Sequence, residues 1–548
     1  MIGGIFRSKS QSITFAAVIL GGSALISRLL GLLRDRLLAG SFGASEQLDI
    51  YFAAFRIPDF VFGIIVLGGI GSVFVPVFSK YFLENEKAAW QLASNVLNAF
   101  LLLLVVACGS LAIVTPWLIG LIAPGFDGQQ KELAISLTRI MFLSPVFFGL
   151  SSVFSSILHY FDRFLAYALA PIFYNMGIIF GIIFLYPLFG LIGLVYGVIL
   201  GSILHLLIQA PAAFSAGFRY SAFLDFNSPG LRSIFKLMLP RIIGSAGYHI
   251  NLIVITAIAS TLTAGSIAIF TFANNLQYFP IGIVGASFAI AAFPTMSRAW
   301  VNGTKEKFVD HFSDSFRQIL FLIIPISVIM FFLRAQIVRL ILGTGEFGWA
   351  DTRLTAASLG IFCFGIFAAS LVPFLARVFY SLHNTKIPVA IGLASMGLNV
   401  ILSFLFVNLL SFENGFQSFL IGFLKLQDIA SIGVIGLPLA LSIAAVFQFV
   451  LLVFFLRQKI GRIRLREVYR SLQKILAASS LAGVSTYLAL QAAAPFVRTN
   501  TFGGVFLQSS AAAALGFLVY FLVSYSLKSK EIQNIWFSIR GQFNRHAK

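Results

Sequence analysis

The sequence predicts an all-α polytopic membrane protein with fourteen transmembrane helices. Twelve of them would form two parallel six-helix lobes around a central cavity, and two extra helices would follow at the C-terminal end. The 548-residue chain is 59% hydrophobic and only 10% charged, with a mean hydropathy of +0.95. A soluble domain averages about 25% charged residues. Apolar windows of about 20 residues, the length of a membrane-spanning helix, and an internal repeat give the rest of the prediction.

The apolar windows place the spans in order along the chain. The second, third, eighth and ninth spans contain proline, so bends are expected in them. The boundary near Pro187 is short, because only a few residues separate two apolar windows there. The predicted spans are 13–36, 47–78, 88–122, 133–158, 165–187, 190–213, 233–262, 266–297, 309–342, 354–382, 387–410, 432–456, 472–493 and 503–527.

The basic residues orient these spans. With a cytoplasmic N-terminus, the cytoplasmic segments hold 24 of the 38 Lys and Arg residues, and the opposite loops hold four. This asymmetry predicts that both termini are cytoplasmic and that the number of spans is even. Because the net charge of +19 lies mostly in short loops, it argues against nucleic acid as a partner.

An internal repeat divides the chain into two halves. The run FGIIVLGGIGSVFVPVFSKYF at 62–82 is similar to PIGIVGASFAIAAFPTMSRAW at 280–300. An even number of spans separates the copies, so the two repeats have the same orientation, as in transporters built from parallel repeats. The predicted divisions are 1–213 for the first lobe, 214–456 for the second lobe, 457–474 for a basic linker, and 475–548 for the last two spans and the tail.

The basic linker RQKIGRIRLREVYRSLQK is the densest run of positive charge. Arg462, Arg466 and Arg470 would share one face of a helix, with apolar residues between them. This pattern indicates an interfacial helix held by anionic lipids on the cytoplasmic side. A solvated, positively charged loop is the alternative interpretation.

The candidate functional residues lie in the first two spans. Arg28 and Asp35 are seven residues apart, and so are Asp49 and Arg56, so each pair would lie within about 20° on one helix face. A charge near the bilayer centre costs about 2.5–3.5 kcal/mol on insertion scales, and such charges usually face a bundle interior or a wet cavity. A stripe of small residues that ends at Asp35 would admit another backbone or a ligand.

These arginines suit a lipid-linked diphosphate. Arginine binds the diphosphate group through planar, forked donors and keeps its proton. Arg28, Arg34 and Arg56 would bind the substrate, while Asp35 and Asp49 would orient them and balance their charge.

Simpler interpretations of several charges stay open. Arg34 and Arg36 would also fit the end of a span, with their side chains extended toward lipid headgroups. Arg56 and Asp59 would also fit an ion pair three residues apart. Arg241 and Arg377 would add to the pocket from the second lobe, or mark the ends of their spans.

No enzyme motif is recognisable in the sequence. A glycine-rich phosphate loop with its lysine is missing, the six histidines are scattered, and the two cysteines lie in apolar runs. We therefore predict that the protein is not an enzyme and needs neither a cofactor nor a metal ion.

Several runs of this sequence resemble those of one transporter family. They read SRLLGLLRD, FGAS, LDIYFAAFRIPD and GSVFVPVFSKYF near the start, then NNLQYFPIGIVGASFAIAAFPTMSR and ARVFYSLHNTKIPV. In this order they resemble the MurJ/MviN family, whose members carry lipid II, the undecaprenyl-linked peptidoglycan precursor, across the bacterial inner membrane. The resemblance implies the fold of the multidrug/oligosaccharidyl-lipid/polysaccharide exporters, in which spans thirteen and fourteen form a groove for the lipid tail. Carried over by position, the cavity residues of the family fall on Ser27, Arg28, Arg34, Asp35, Asp49 and Arg56.

Two departures from the family pattern affect the expected cavity. Where many members have an arginine and then an acid-glycine pair in the second span, this chain has Phe62 and Leu67. The charged pair of the eighth span is replaced by Asn274 and Asn275. Asn275 still offers hydrogen bonds to a phosphate or sugar, so we include it among the expected substrate-binding residues with Arg241.

The predicted function is therefore a monomeric lipid II flippase of the bacterial cytoplasmic membrane, which works by alternating access and draws on an ion gradient or the membrane potential. Four alternatives remain: an exporter of another lipid-linked oligosaccharide, a cation-coupled drug antiporter, a polytopic glycosyltransferase or ligase, and a non-transporting relative that acts as a scaffold. The basic pocket counts against the antiporter, and the short outer loops count against the enzyme.

Overall fold

A computed structural model describes residues 13–64, 70–461, 464–498 and 501–533, and these residues form helices joined by short connections, without a β-strand. The longer helices are α1 (Ile13–Phe42), α2 (Glu46–Val61), α3 (Gly71–Glu84), α4 (Glu86–Ile122), α5 (Gly128–Met141), α6 (Leu143–Tyr160), α7 (Phe164–Phe180), α8 (Tyr186–Phe189), α9 (Leu191–Ser215), α10 (Pro229–Ser260), α11 (Ser266–Pro280), α12 (Ser287–Val301), α13 (Lys305–Ile341), α14 (Trp349–Ser381), α15 (Lys386–Leu409), α16 (Gly415–Leu424), α17 (Gly436–Ile460), α18 (Leu465–Ala493) and α19 (Phe502–Ser526). Wider π-type turns (Gly181–Leu185 and Ile281–Ala286) join α7 to α8 and α11 to α12.

Eleven helical stretches of the described chain are long and apolar enough to cross a membrane. They coincide with the third to sixth and the eighth to fourteenth predicted spans, so the class of multi-pass, all-helical membrane protein is confirmed. The other three predicted spans correspond to α1, to α2 with α3, and to α10, whose apolar stretch is shorter in the described residues. The total of fourteen stays a prediction.

The chain divides into two compact units, Met1–Ala268 and Ile269–Lys548. The seventh predicted span, α10, packs on α2, α3 and α4 inside the first unit, although the repeat assigns it to the second lobe. The lobe boundaries derived from the repeat therefore stay a prediction.

Glycines allow α7 and α9 of the first unit to approach closely. A Cβ atom on Gly181 would lie 2.5 Å from the Cα atom of Gly197, and one on Gly177 would lie 2.3 Å from the Cα atom of Gly201. Such distances leave no room for a side chain, so the two backbones are in direct contact, as in membrane helices with small residues four apart. Between these helices the chain turns at Gly190, whose φ of 61° favours glycine.

The second unit has an apolar core made by α13, α14 and α17, against which α18 and α19 pack. The Tyr520 hydroxyl of α19 donates a 2.6 Å hydrogen bond to the carbonyl oxygen of Phe321 in α13, and the two rings are in contact. The last two predicted spans are thus integrated into this unit through α13.

The basic segment 457–474 is divided between two helices. Its first residues complete α17, and its later residues form the beginning of α18, which continues as a span. Arg462 lies outside the described residues, whereas Arg466 and Arg470 are exposed. Contact of this segment with anionic lipids stays a prediction.

An ion-pair network fastens the start of α18 to α13 and to the residues after α19. Arg317 of α13, which is only 7% exposed, pairs with Asp314, with Glu467 at 3.7 Å and with Glu531 at 3.6 Å. Glu531 is also buried and accepts a 2.8 Å hydrogen bond from the Ser471 hydroxyl.

Candidate functional site

The first element of the site is a charged pair in the last third of α1. The Nε and Nη2 atoms of Arg34 both donate to Oδ1 of Asp35, at 3.0 and 2.8 Å. Asp35 is 4% exposed, whereas the Arg34 side chain is 25% exposed. A buried carboxylate is stable when an opposite charge and hydrogen bonds compensate its desolvation. This pair agrees with the predicted orienting role of Asp35, which itself stays a prediction.

The second element is Arg56, which lies on α2 and contacts α10. Its Nε atom donates a 2.7 Å hydrogen bond to Oγ1 of Thr256, and the Thr256 hydroxyl donates in turn to the carbonyl oxygen of Leu252. Thr256 is 1% exposed, so the contact between Arg56 and Thr256 is shielded from solvent. The interaction fixes the guanidinium group on a side chain 200 positions further along the chain.

Asp59 connects the two arginines electrostatically. Its carboxylate is attracted both to Arg56 and to Arg34, so the alternative of an Arg56–Asp59 ion pair describes only part of its surroundings. The phenol rings of Tyr51 and Tyr174 also lie within electrostatic reach of Arg34. The first unit therefore contains one cluster of charged and phenolic groups, contributed by α1, α2 and α7.

The small-residue stripe of α1 packs on α7. The Nδ2 atom of Asn175 lies 3.2 Å from the carbonyl oxygen of Ser27 and 3.3 Å from its Oγ atom, and donates to both. A Cβ atom on Gly31 would lie 4.0 Å from Oδ1 of the same asparagine. The stripe thus admits a polar side chain from another helix, and its predicted role in admitting a ligand stays a prediction.

Asp49 binds the backbone at the start of a distant helix. Its Oδ2 atom accepts a 2.8 Å hydrogen bond from the backbone N–H of Gly265, and its Oδ1 atom accepts one of 2.8 Å from Ala268. Gly265 immediately precedes α11 and Ala268 lies in its first turn, where backbone N–H groups have no partner within the helix. The buried carboxylate therefore caps α11 and faces the positive end of its dipole. The role of Asp49 in orienting the arginines and balancing their charge stays a prediction.

The second span also packs closely against α10. A Cβ atom on Gly63 would lie 1.9 Å from Nε2 of His249, so the imidazole ring occupies the space where a side chain would be. His249 and Thr256 are seven residues apart on α10, as are Gly63 and Arg56 on the second span. The two helices thus pack antiparallel along a face that includes the arginine contact.

The other predicted site residues are more dispersed. Arg28 and Arg36 are partly exposed on α1, and Arg241 is exposed on α10. In the second unit, Asn275 is partly exposed, and Oδ1 of its buried neighbour Asn274 accepts a 2.9 Å hydrogen bond from Gln277. Arg377 is partly exposed on α14.

At the positions where the family has other charges, Phe62 packs on Phe148 with ring centroids 4.6 Å apart. Leu67 lies outside the described residues. Sequence reasoning missed Tyr51, Tyr174 and Thr256 as neighbours of the arginines. The available signal was weak, because one hydroxyl group in an apolar span is common.

The fold first defines the class of the protein. The chain is similar to the inward-facing structure of a multidrug resistance MATE family transporter of the MOP superfamily, with a TM-score of 0.66 and 16% identity over 82% of this chain and 99% of that one. The chain therefore has the helical fold of that transporter.

Closer relatives then define the family. The family model described as "Lipid II flippase MurJ" matches residues 38–506. A probable lipid II flippase MurJ of Buchnera aphidicola subsp. Acyrthosiphon pisum is 34% identical over 69% of this chain and 75% of the relative, and one of Bdellovibrio bacteriovorus is 27% identical over 96% and 97%. A solved structure titled "Lipid II flippase MurJ, inward closed conformation" superposes with a TM-score of 0.74 and 26% identity, over 92% of this chain and 98% of that one. The chain belongs to the MurJ family.

Proposed function

We propose that this protein is a lipid II flippase, which moves the undecaprenyl-diphosphate-linked peptidoglycan precursor across the bacterial cytoplasmic membrane by alternating access. The observation that carries the proposal is the presence of the Arg34–Asp35 ion pair and of Arg56, bound to Thr256, in the first two helices of a chain whose family bears that description. Charges at such depth are costly, so they indicate a functional pathway.

The cluster suits the diphosphate group of the substrate. Arg34 and Arg56 would each offer several N–H donors in a plane, a geometry that matches phosphate oxygens. Asp35 occupies two donors of Arg34 in the described structure, and an arriving diphosphate would compete with this carboxylate for them. Arg28, Ser27, Arg241 and Asn275 complete the proposed binding set. Asp35 and Asp49 would balance the positive charge when substrate is absent.

The transport cycle that we propose uses two lobes of six spans each, with fourteen spans in total and both termini in the cytoplasm. MATE transporters of the same fold have been solved in inward-facing and outward-facing conformations, which supports a cycle of alternating access. We propose that the protein acts as a monomer without a catalytic step. An ion gradient or the membrane potential would drive the cycle, and anionic lipids would contact the basic residues at the start of α18.

A second candidate function rests on the family positions that have lost their charges. Phe62 contacts an aromatic ring, and Asn274 is bound by Gln277, where many family members present charged groups. A site with fewer cations would hold a substrate of different charge or sugar composition. An exporter of another lipid-linked oligosaccharide is therefore the alternative, and a non-transporting relative is the remaining one.

Complementation tests the proposed function. A bacterial strain depleted of its own lipid II flippase would express the wild-type chain or Arg56→Ala, with membrane levels measured by immunoblot. We expect growth with the wild type and lysis with Arg56→Ala. Arg232→Ala serves as the matched control, because Arg232 is an exposed arginine in the same unit that binds Asn227. Full growth with Arg56→Ala at normal membrane levels would exclude this arginine from the mechanism.

A further inference from the structure

The connection between α9 and α10 contains an irregular segment without helix or strand, residues 219–226, here called the strap. Its sequence is RYSAFLDF, and it lies along the first third of α4. Just before it, the buried ring of Phe218 packs edge-on against Trp90 of α4. The strap is therefore fixed at its beginning by an aromatic contact in the interior of the first unit.

Two adjacent side chains of α4 bind the backbone at both ends of the strap. The Nδ2 atom of Asn95 donates to the carbonyl oxygen of Asp225 at 2.8 Å, and its Oδ1 atom accepts from the N–H of the same residue, also at 2.8 Å. The amide group thus pairs with the strap as a neighbouring β-strand would. Ser94 accepts from the N–H of Ser221 at 3.2 Å and lies 3.4 Å from the carbonyl oxygen of Arg219.

Asn98, one turn further along α4, binds the middle of the strap. Its Nδ2 atom donates to the carbonyl oxygens of Ser221 at 3.1 Å and of Phe223 at 2.9 Å. Its Oδ1 atom accepts a 3.1 Å hydrogen bond from the Tyr220 hydroxyl. The backbone of the strap is therefore held by side chains of one helix, while its aromatic rings remain exposed.

Four large side chains of the strap are apolar and exposed. The exposed fractions are 55% for Tyr220, 41% for Phe223, 44% for Leu224 and 52% for Phe226. Four large apolar side chains within eight residues would be an unfavourable surface in water, and such a surface indicates a partner.

The position of the strap on α4 identifies that partner. From residue 99 to residue 122, α4 has no charged residue, and these residues extend over about 36 Å, which is enough to cross the hydrocarbon layer. Asn98 immediately precedes this stretch, so the strap lies at the boundary between the hydrocarbon and the headgroups. Leu102 and Val105 follow Asn98 by four and seven residues, on the same helix face, and are 43% and 50% exposed. This exposed apolar face continues from the strap along α4, as expected of a surface that faces lipid.

We propose that the strap is an interfacial anchor, whose exposed aromatic side chains insert between phospholipids at the glycerol and headgroup level of the leaflet next to the α9–α10 connection. Aromatic rings favour this level of the bilayer, and the exposed Arg219 at the start of the strap would contact lipid phosphates. The three polar side chains of α4 hold the strap in the membrane surface, and this anchoring fixes the start of α10, the helix that carries Thr256.

Spin labelling of the full-length protein in liposomes of phosphatidylethanolamine and phosphatidylglycerol tests the anchor. Both native cysteines are buried and would be replaced by alanine, and a nitroxide would be attached at Phe223→Cys. Collision rates with oxygen, which partitions into lipid, and with a water-soluble nickel complex then report the depth of the label. The control is Asn302→Cys, an exposed site in the connection between α12 and α13.

We expect the label at position 223 to favour collisions with oxygen, and the label at position 302 to favour collisions with nickel. A second variant adds Asn98→Ala to Phe223→Cys, and we expect its nickel collisions to rise severalfold as the strap leaves the interface. If the nickel complex reaches positions 223 and 302 equally well, the proposed membrane anchoring is refuted. The exposed rings would then be a surface for a protein partner. Should Asn98→Ala fail to fold, the comparison of the two labelled sites still decides the question.

Discussion

Replacing Thr256 with valine would isolate the contact that positions Arg56. Valine has nearly the same shape as threonine but offers no oxygen to the Nε atom of Arg56, now 2.7 Å from Oγ1. The site is 1% exposed, so water would not easily replace the lost acceptor. Arg56 would keep its charge but lose its fixed orientation toward the substrate.

The expected loss of lipid II binding follows from two measured ranges of hydrogen-bond energy. A hydrogen bond to a charged group contributes about 1.5–3 kcal/mol in proteins. Hydrogen bonds between membrane helices contribute less, about 0.6 kcal/mol on average and at most about 1.7. We therefore expect Thr256→Val to weaken lipid II binding by about 1–2 kcal/mol, which corresponds to a roughly 5- to 30-fold higher dissociation constant.

The assay is equilibrium binding of lipid II to the protein in nanodiscs. Thr256→Ser should bind nearly as well as the wild type, because it keeps the hydroxyl group. Thr115→Val is a matched control: Thr115 is equally buried and donates to the carbonyl oxygen of Leu111, but it lies on α4. The reasoning would be refuted if Thr256→Val bound lipid II as tightly as Thr256→Ser.

Two further predictions concern stability, and thermal unfolding of the purified protein in detergent measures both. Asp49→Ala removes the cap of α11 and should lower the free energy of unfolding by about 2 kcal/mol. Glu46→Ala, an exposed change on α2, the helix that also carries Asp49, should have little effect. Equal unfolding midpoints for the two variants would contradict the capping role. Arg317→Met leaves the buried Glu531 carboxylate without its cation and should lower the free energy of unfolding by about 3 kcal/mol. Adding Glu531→Gln should restore much of this stability. A double variant no more stable than Arg317→Met alone would contradict the pairing.

The spans were predictable because hydrophobicity and length act locally. The eleven span-length stretches of the described residues fall where windows of apolar residues place them, whereas the short helix α16 lies between two predicted spans and was not predicted. The short boundary near Pro187 was also visible, and the chain turns there at Gly190. The close packing of α7 and α9 depends on which glycines face each other, and spacing along one helix does not specify the partner helix.

The site was predictable only in part, because the sequence pattern of one helix does not specify which distant residues contact it. The arginines and acids of the first two spans were identified because charge in an apolar helix is conspicuous. Their partners were not: Thr256 lies 200 residues from Arg56, and the N–H groups that Asp49 binds follow it by more than 200 residues. Helical periodicity assigned Asp49 to the same face as Arg56, but a turn of a distant helix provides its hydrogen bonds.

Native mass spectrometry with purified lipid II tests the central claim most directly. The claim is that guanidinium groups of the first two spans bind the diphosphate of a polyprenyl-linked precursor. We predict that the wild-type protein and Arg232→Ala retain lipid II through collisional release of detergent, and that the double variant Arg34→Ala/Arg56→Ala loses it. Equal retention of lipid II by the double variant would contradict the claim.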